Sequence, residues 1–147
     1  MRNRALLMAV VMALTILAST RVASAQELMV VNIPFDFAVG NKTLPAGEYS
    51  VKDSPTLHTL LLIDRDDPAE GAFLPTQAVD SLEIQSESKL VFNRYGNRYF
   101  LSQVWSAGKS RGRQLSRSDR EKEMAQVARI ETQGQVTLVA SLPRTNP

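Results

Sequence analysis

The run KLVFNRYGNRYFLSQVW, Lys89 to Trp105, decides the fold class of this chain. Two stretches rich in aromatic and β-branched residues flank Gly96-Asn97, residues that accept a positive φ at little cost. The pattern predicts a β-hairpin, Lys89 to Tyr95 paired with Arg98 to Trp105.

Toward the N-terminus, Val31, Ile33, Phe35, Phe37 and Val39 alternate with Asn32, Pro34, Asp36 and Ala38. A period of two puts the large apolar groups on one face of a half-buried strand, with Phe35 and Phe37 as core residues. Pro34 cannot donate to a ladder, so this strand is expected at an edge or with a bulge. Leu44-Pro45-Ala46-Gly47 reads as a tight turn, after which Glu48 to Lys52 resumes the alternation with Tyr49 and Val51 inward. Leu57 to Ile63 is apolar at nearly every position, the pattern of a strand covered on both faces. Ala72 to Val79 is a further strand broken by Pro75, and Asp80 to Ser88 a polar connection.

Beyond Gly108 the pattern changes. Ser118-Asp119-Arg120-Glu121 has the form of a capping box, and Met124, Val127 and Ala128 recur at helical spacing, predicting a helix from Asp119 to Arg129. Val136, Leu138 and Ala140 then alternate as a last strand. The expected fold is all-β, a sandwich or partly open barrel of about seven mainly antiparallel strands, with one helix in its C-terminal half.

The first residues have the layout of a secretory signal peptide: Arg2 and Arg4, an uncharged run from Ala5 to Ala18, and small residues at Ala23 and Ala25. The apolar run of about 14 residues is short for a membrane span, which usually needs about 20. Cleavage after Ala25 leaves Gln26 to Pro147 as a single β-rich domain with no other run long enough to span a membrane, exported to the periplasm or beyond the cell. The sequence contains no cysteine, so neither disulfides nor thiolate metal ligands contribute, and stability rests on packing.

The formal charge of +2 includes Arg2, Arg4 and Arg21; without them 14 basic residues of the 17 face 15 acidic ones. Charge is unevenly placed. Gln26 to Leu90 holds 4 basic and 11 acidic residues, Val91 to Pro147 holds 10 and 4.

Candidate chemistry is sparse. His58, the one histidine, falls in the apolar Leu57 to Ile63 run and reads as structural rather than as a general base. A zinc site needs more nitrogen or sulfur ligands than this chain offers, and no nucleophile elbow, H-E-x-x-H or P-loop pattern occurs. Asp64, Asp66, Asp67 and Glu70 crowd one loop and are candidate oxygen ligands for a hard cation. Counting from Asp64, however, Ala69 and Pro75 stand where a helical calcium loop needs glycine and glutamate. The same Asp64 to Glu70 carboxylates are the candidate groups for a small hydrolase or isomerase. Arg94, Arg98, Lys109, Arg111, Arg113, Arg117, Arg120 and Lys122 lie near Tyr95, Tyr99 and Trp105. Basic and aromatic groups together suit a polyanion. Lys109, Arg111 and Arg113, in a Gly- and Ser-containing connection, are the candidate anion-binding residues. The competing expectation is that carboxylates of the first half neutralise them.

The words V-N-I-P-F-D-F-x-V-G, L-P-A-G-x-Y, L-V-F-N-R-Y-G-x-x-Y-F-L and V-W-x-x-G-x-x-x-G-R, in this order, resemble a group of small exported bacterial proteins of unassigned function. The resemblance covers most of the chain after residue 25; it departs at Ser116, where a proline would be expected after Leu115. It implies an exported single domain and no substrate, cofactor or catalytic residue.

The expectation is an exported non-catalytic β-domain that binds or supports envelope or extracellular polymer. Its partner would be an anionic polymer or another envelope protein. Nucleic acid is disfavoured by export, no cofactor is implied, and the oligomeric state is open. Mass spectrometry of the exported protein should give a chain beginning at Gln26; an intact Met1 outside the cytoplasm would contradict the leader.

Overall fold

A computed structural model of the chain describes residues 26–54, 58–128 and 133–141. Among these residues are ten strands and one helix: β1 (Gln26–Ile33), β2 (Phe37–Val39), β3 (Lys42–Leu44), β4 (Gly47–Ser54), β5 (Thr59–Asp64), β6 (Gly71–Asp80), β7 (Lys89–Tyr95), β8 (Arg98–Trp105), β9 (Arg111–Leu115), α1 (Asp119–Val127) and β10 (Gln133–Val139). The expected leader, residues 1–25, lies outside the described residues, as do Leu57 and Arg129.

The hydrogen-bonded order runs β1-β4-β5-β6-β9-β8 and then branches. One edge of β8 carries β7 along its length, and β7 carries β10. The other edge carries β9 at Gln103 and Val104, and β2 in parallel where Ala38 lies opposite Phe100. β3 pairs with β2. Just past β10, Val30 N–H donates to the Ser141 carbonyl at 3.4 Å and Ser141 Oγ to the Val30 carbonyl at 3.1 Å. The far ends of the sheet thus meet at one point, and the result is a partly open barrel.

Three strands are found beyond the expected seven. The Val31 to Val39 run is two strands, because Pro34 offers no donor and Asp36 Oδ1 accepts from Ala46 N–H at 2.9 Å. That break takes Phe37–Val39 off β4 and onto β8. β3 forms from the polar residues after the Gly40 turn, where φ is +57°. β9 lies in what the sequence presents as a connection. Apart from Gly112 and the buried Leu115 its residues are polar, and its place is set by neighbours on both sides: Thr76 to Asp80 of β6 and Gln103–Val104 of β8. Gly112 makes this approach possible, since a Cβ there would stand 2.6 Å from the Trp105 ring.

Pro75 marks a handover rather than a break. β6 pairs with β5 from Gly71 to Pro75 and with β9 from Thr76 onward, so the missing N–H falls where one partner replaces another. β5 is not covered equally on both faces as its composition suggested. Leu60, Leu62 and Asp64 are buried while Leu61 and Ile63 are half-buried, because the helix that covers the outside of the barrel lies over other strands.

The interior is filled by alternate residues of these strands, among them Met29, Ile33, Leu44, Leu62, Leu90 and Phe92. Phe37 stands edge-on to Tyr49 and Phe92, with centroids 5.2 and 5.6 Å away. α1 packs outside, its Met124, Ala125 and Ala128 side against Ala38 of β2, Tyr95 of β7 and Phe100 of β8. Ser118 Oγ caps it by accepting from Glu121 N–H at 3.2 Å, the expected box donor position.

Phe37 is 1 % exposed, whereas Phe35 is half-buried on Tyr99. Phe37→Ala should therefore cost about 3–5 kcal/mol in denaturant unfolding, and Phe35→Ala clearly less. Equal losses for the two would contradict this placement.

Candidate functional site

The acidic loop does not present its carboxylates together. Asp64, the last residue of β5, is buried, and its Oδ1 accepts from the main-chain N–H of Asp66 at 2.9 Å and of Asp67 at 3.3 Å. It folds the loop over itself, as aspartate does in turns. Asp67 Oδ1 accepts from Ala69 N–H at 3.2 Å, and Glu70 pairs with Lys42 at 2.9 Å. Asp66 is exposed. Among the described residues no group of three potential ligands is placed to hold a metal ion.

Tyr49 lies beside Asp64, and its hydroxyl donates to the Pro45 carbonyl at 2.7 Å. Burial first, then the Asp64 charge, raises its pKa well above the ordinary phenol range.

A second buried carboxylate, Glu121, sits under α1. Its Oε1 accepts from Asn93 Nδ2 at 2.8 Å and from the Tyr95 hydroxyl at 3.2 Å, with Arg117 Nε at 3.9 Å. Burial, then the Glu121 charge, pushes the Tyr95 hydroxyl up. A Glu-Tyr-Asn-Arg cluster resembles catalytic machinery in composition. Here it joins the helix to β7: Asn93 and the Tyr95 hydroxyl both donate to the buried Glu121, while Arg117 lies at the exposed edge of the cluster. The sequence showed Glu121 as a capping-box residue; its burial was not legible because Asn93 lies 28 residues away.

His58 is not within a strand. It precedes β5 in a turn with φ +49°, its side chain exposed, and its carbonyl accepts from Thr76 N–H at 3.0 Å and Thr76 Oγ1 at 2.9 Å. The residue ahead of the strand must turn sharply to bring β5 alongside β6, which is why the apolar run begins its pairing only at Thr59.

The anion candidates do come together. Lys109, Arg111 and Arg113 line a 280 Å³ concavity at one mouth of the barrel with Asp53, His58, Leu28 and Val104. Arg111 and Arg113 belong to β9 rather than to a loop. Arg113 reaches across the mouth to Asp53 of β4 at 3.3 Å, a pair with about a fifth of each side chain exposed. Arg111 Nε donates to Asp80 Oδ1 at 2.8 Å on the open surface. That hydrogen bond holds the Asp80 carboxyl below the usual carboxylate range and raises the Arg111 guanidinium. Lys109 has no ion pair among the described residues. The acidic first half therefore neutralises two of the three, through partners 60 and 31 residues distant that no local pattern reveals.

The remaining basic residues divide in the same way. Arg117 lies near Glu121 and Lys122 pairs with Asp119, while Arg94, Arg98 and Arg120 have no ion pair among the described residues. Arg98 and Arg120 line a 330 Å³ cavity with Asp36, Thr43, Asn97 and Tyr99. A groove of 810 Å³ opens between β3 and the first half of β6, crossed by Lys42, whose Nζ donates to the Gly71 carbonyl at 3.1 Å.

Compared with protein families, curated proteins and solved structures, the chain has no match. No helix among the described residues is long and apolar enough to cross a membrane.

Proposed function

We propose that this chain is an exported, non-catalytic β-domain that binds anionic polymer of the envelope or extracellular space through its basic surface. The observation that carries the reading is the convergence of Lys109, Arg111 and Arg113 on one barrel mouth, where Lys109 has no ion pair among the described residues. The pairs with Asp53 and Asp80 leave this mouth with an excess of positive charge, and they hold the two guanidiniums in place. The Arg111–Asp80 pair is exposed, contributes only about 0–1 kcal/mol and exchanges readily for a polyanion's own charges, whereas the Arg113–Asp53 pair is largely shielded from solvent. The alternative, a hydrolase or isomerase using Asp64 to Glu70, has less support: Asp64 is turned inward onto its own loop and Glu70 lies against Lys42.

Binding of the mature protein to an acidic polysaccharide, measured at two salt concentrations, tests the reading. Affinity should fall as salt rises, and the triple variant Lys109→Ala, Arg111→Ala, Arg113→Ala should bind more weakly with a shallower salt dependence. Equal binding by the two proteins, or binding indifferent to salt, would remove the barrel mouth as the anion site.

A further inference from the structure

Where β2 meets β8 the sheet makes a second basic site that differs in kind from the barrel mouth. Arg98 and Arg120 line its 330 Å³ cavity, a volume in the lower part of the roughly 300–1,000 Å³ range of small-ligand sites. Both are exposed, and neither has an ion pair among the described residues, whereas Arg111, Arg113, Arg117 and Lys122 all do. Arg120 is the second residue of α1, at the end of the helix where the backbone dipole opposes a cation. It nevertheless lies across the cavity, with Nη1 donating to Thr43 Oγ1 of β3 at 3.1 Å.

The other walls narrow the ligand. Tyr99 stacks on Phe35, centroids 3.8 Å apart and planes 14° apart, and both pack against the interior cluster, which fixes the strand that floors the cavity. Ala38 and Phe100, on the outer face of the sheet beside α1, give the cavity its apolar floor. Asp36 also lines the cavity, held by Ala46 N–H at 2.9 Å. A carboxylate beside two arginines repels a compact dianion but accepts hydrogen bonds from hydroxyls. Asn97 adds an amide that both donates and accepts.

We propose that this cavity binds an acidic sugar unit, its single carboxylate on Arg98 and Arg120 and its hydroxyls toward Asp36 and Asn97. The assignment rests on the anionic-polymer reading and names the chemical class of that polymer as a carboxylated saccharide. It adds a second point of contact for that polymer, away from the barrel mouth. Along β8 the nearest lining residues of the two sites, Phe100 and Val104, stand about 13 Å apart at about 3.3 Å per residue, which is beyond the span of a disaccharide.

Digalacturonate therefore cannot bridge the two sites, and the barrel-mouth variant separates binding at one from binding at the other. Calorimetric titrations would compare digalacturonate, its dimethyl ester and sodium sulfate on four proteins: the mature chain, Arg98→Gln, Arg120→Gln, and the barrel-mouth triple-alanine variant. Digalacturonate should bind the parent and the triple variant alike, and each Arg→Gln change should weaken it by about tenfold or more. The ester and sulfate should bind far more weakly than the acid. Thermal melts of the two glutamine variants, both at exposed positions, should match the parent. The proposal is overturned if digalacturonate does not bind the parent, if both glutamine variants bind as the parent does, or if ester or sulfate binds as tightly as the acid. Polymer binding that is lost in the triple variant while digalacturonate fails to bind would sustain the barrel mouth and remove this cavity.

Discussion

Strand β8 must serve three neighbours with two edges, and the rest of the structure is arranged around how it does so. β7 occupies one edge from end to end. The other edge is divided, β9 taking Gln103 and Val104 and β2 taking Phe100. Ser102 lies between these parts as the extra residue of a bulge: Val91 faces Gln103 and Phe92 faces Leu101. A bulge bends its strand and sharpens the local twist, so the edge can turn from one partner to the other. The same inserted residue lets both Leu101 and Val104, three positions apart, reach the interior. The two basic sites follow from that division. β9 carries Arg111 and Arg113 to the barrel mouth at one end of β8. β2 and β3 bring Asp36 and Thr43 beside Arg98 and Tyr99 at the other.

Charge follows the fold rather than the sequence. The acidic first half and the basic second half interleave in one sheet, and the two longest-range ion pairs, Arg113 with Asp53 and Arg111 with Asp80, join them. Such pairs contribute little stability when exposed. Their larger consequence is selection, because they leave Arg98, Arg120 and Lys109 as cations without an ion pair among the described residues in the two basic concavities.

The strands that carry strong local patterns were legible. The Lys89 to Trp105 hairpin, the turn at Pro45-Ala46-Gly47 and the capped helix from Asp119 occur where alternation, turn chemistry and the capping box place them. The all-β class follows from the same signals. The missing part is tertiary in origin. β9 is a polar segment made into a strand by neighbours on either side, and the parallel docking of β2 rests on a single facing pair, Ala38 and Phe100. The candidate sites fared likewise. Residue type picked out the basic groups, but their partners are distant in sequence. Local crowding suggested a cation loop at Asp64 to Glu70, yet Asp64 is turned inward by its place at the end of an inward-facing alternation. His58 was misplaced because an apolar neighbourhood in sequence does not show where pairing begins.

The divided edge of β8 is the point on which both the fold and the proposed acidic-sugar site stand, and interstrand proton contacts measured by NMR on residues 26–147 test it most directly. The account predicts that backbone protons of β8 show contacts to β7 throughout, to Arg113 and Gln114 beyond Ser102, and to Ala38 before it. Contacts to β7 and β9 with none between Phe100 and Ala38 would contradict it. They would leave the β2-β3 hairpin undocked and the Arg98–Arg120 cavity without its opposite wall.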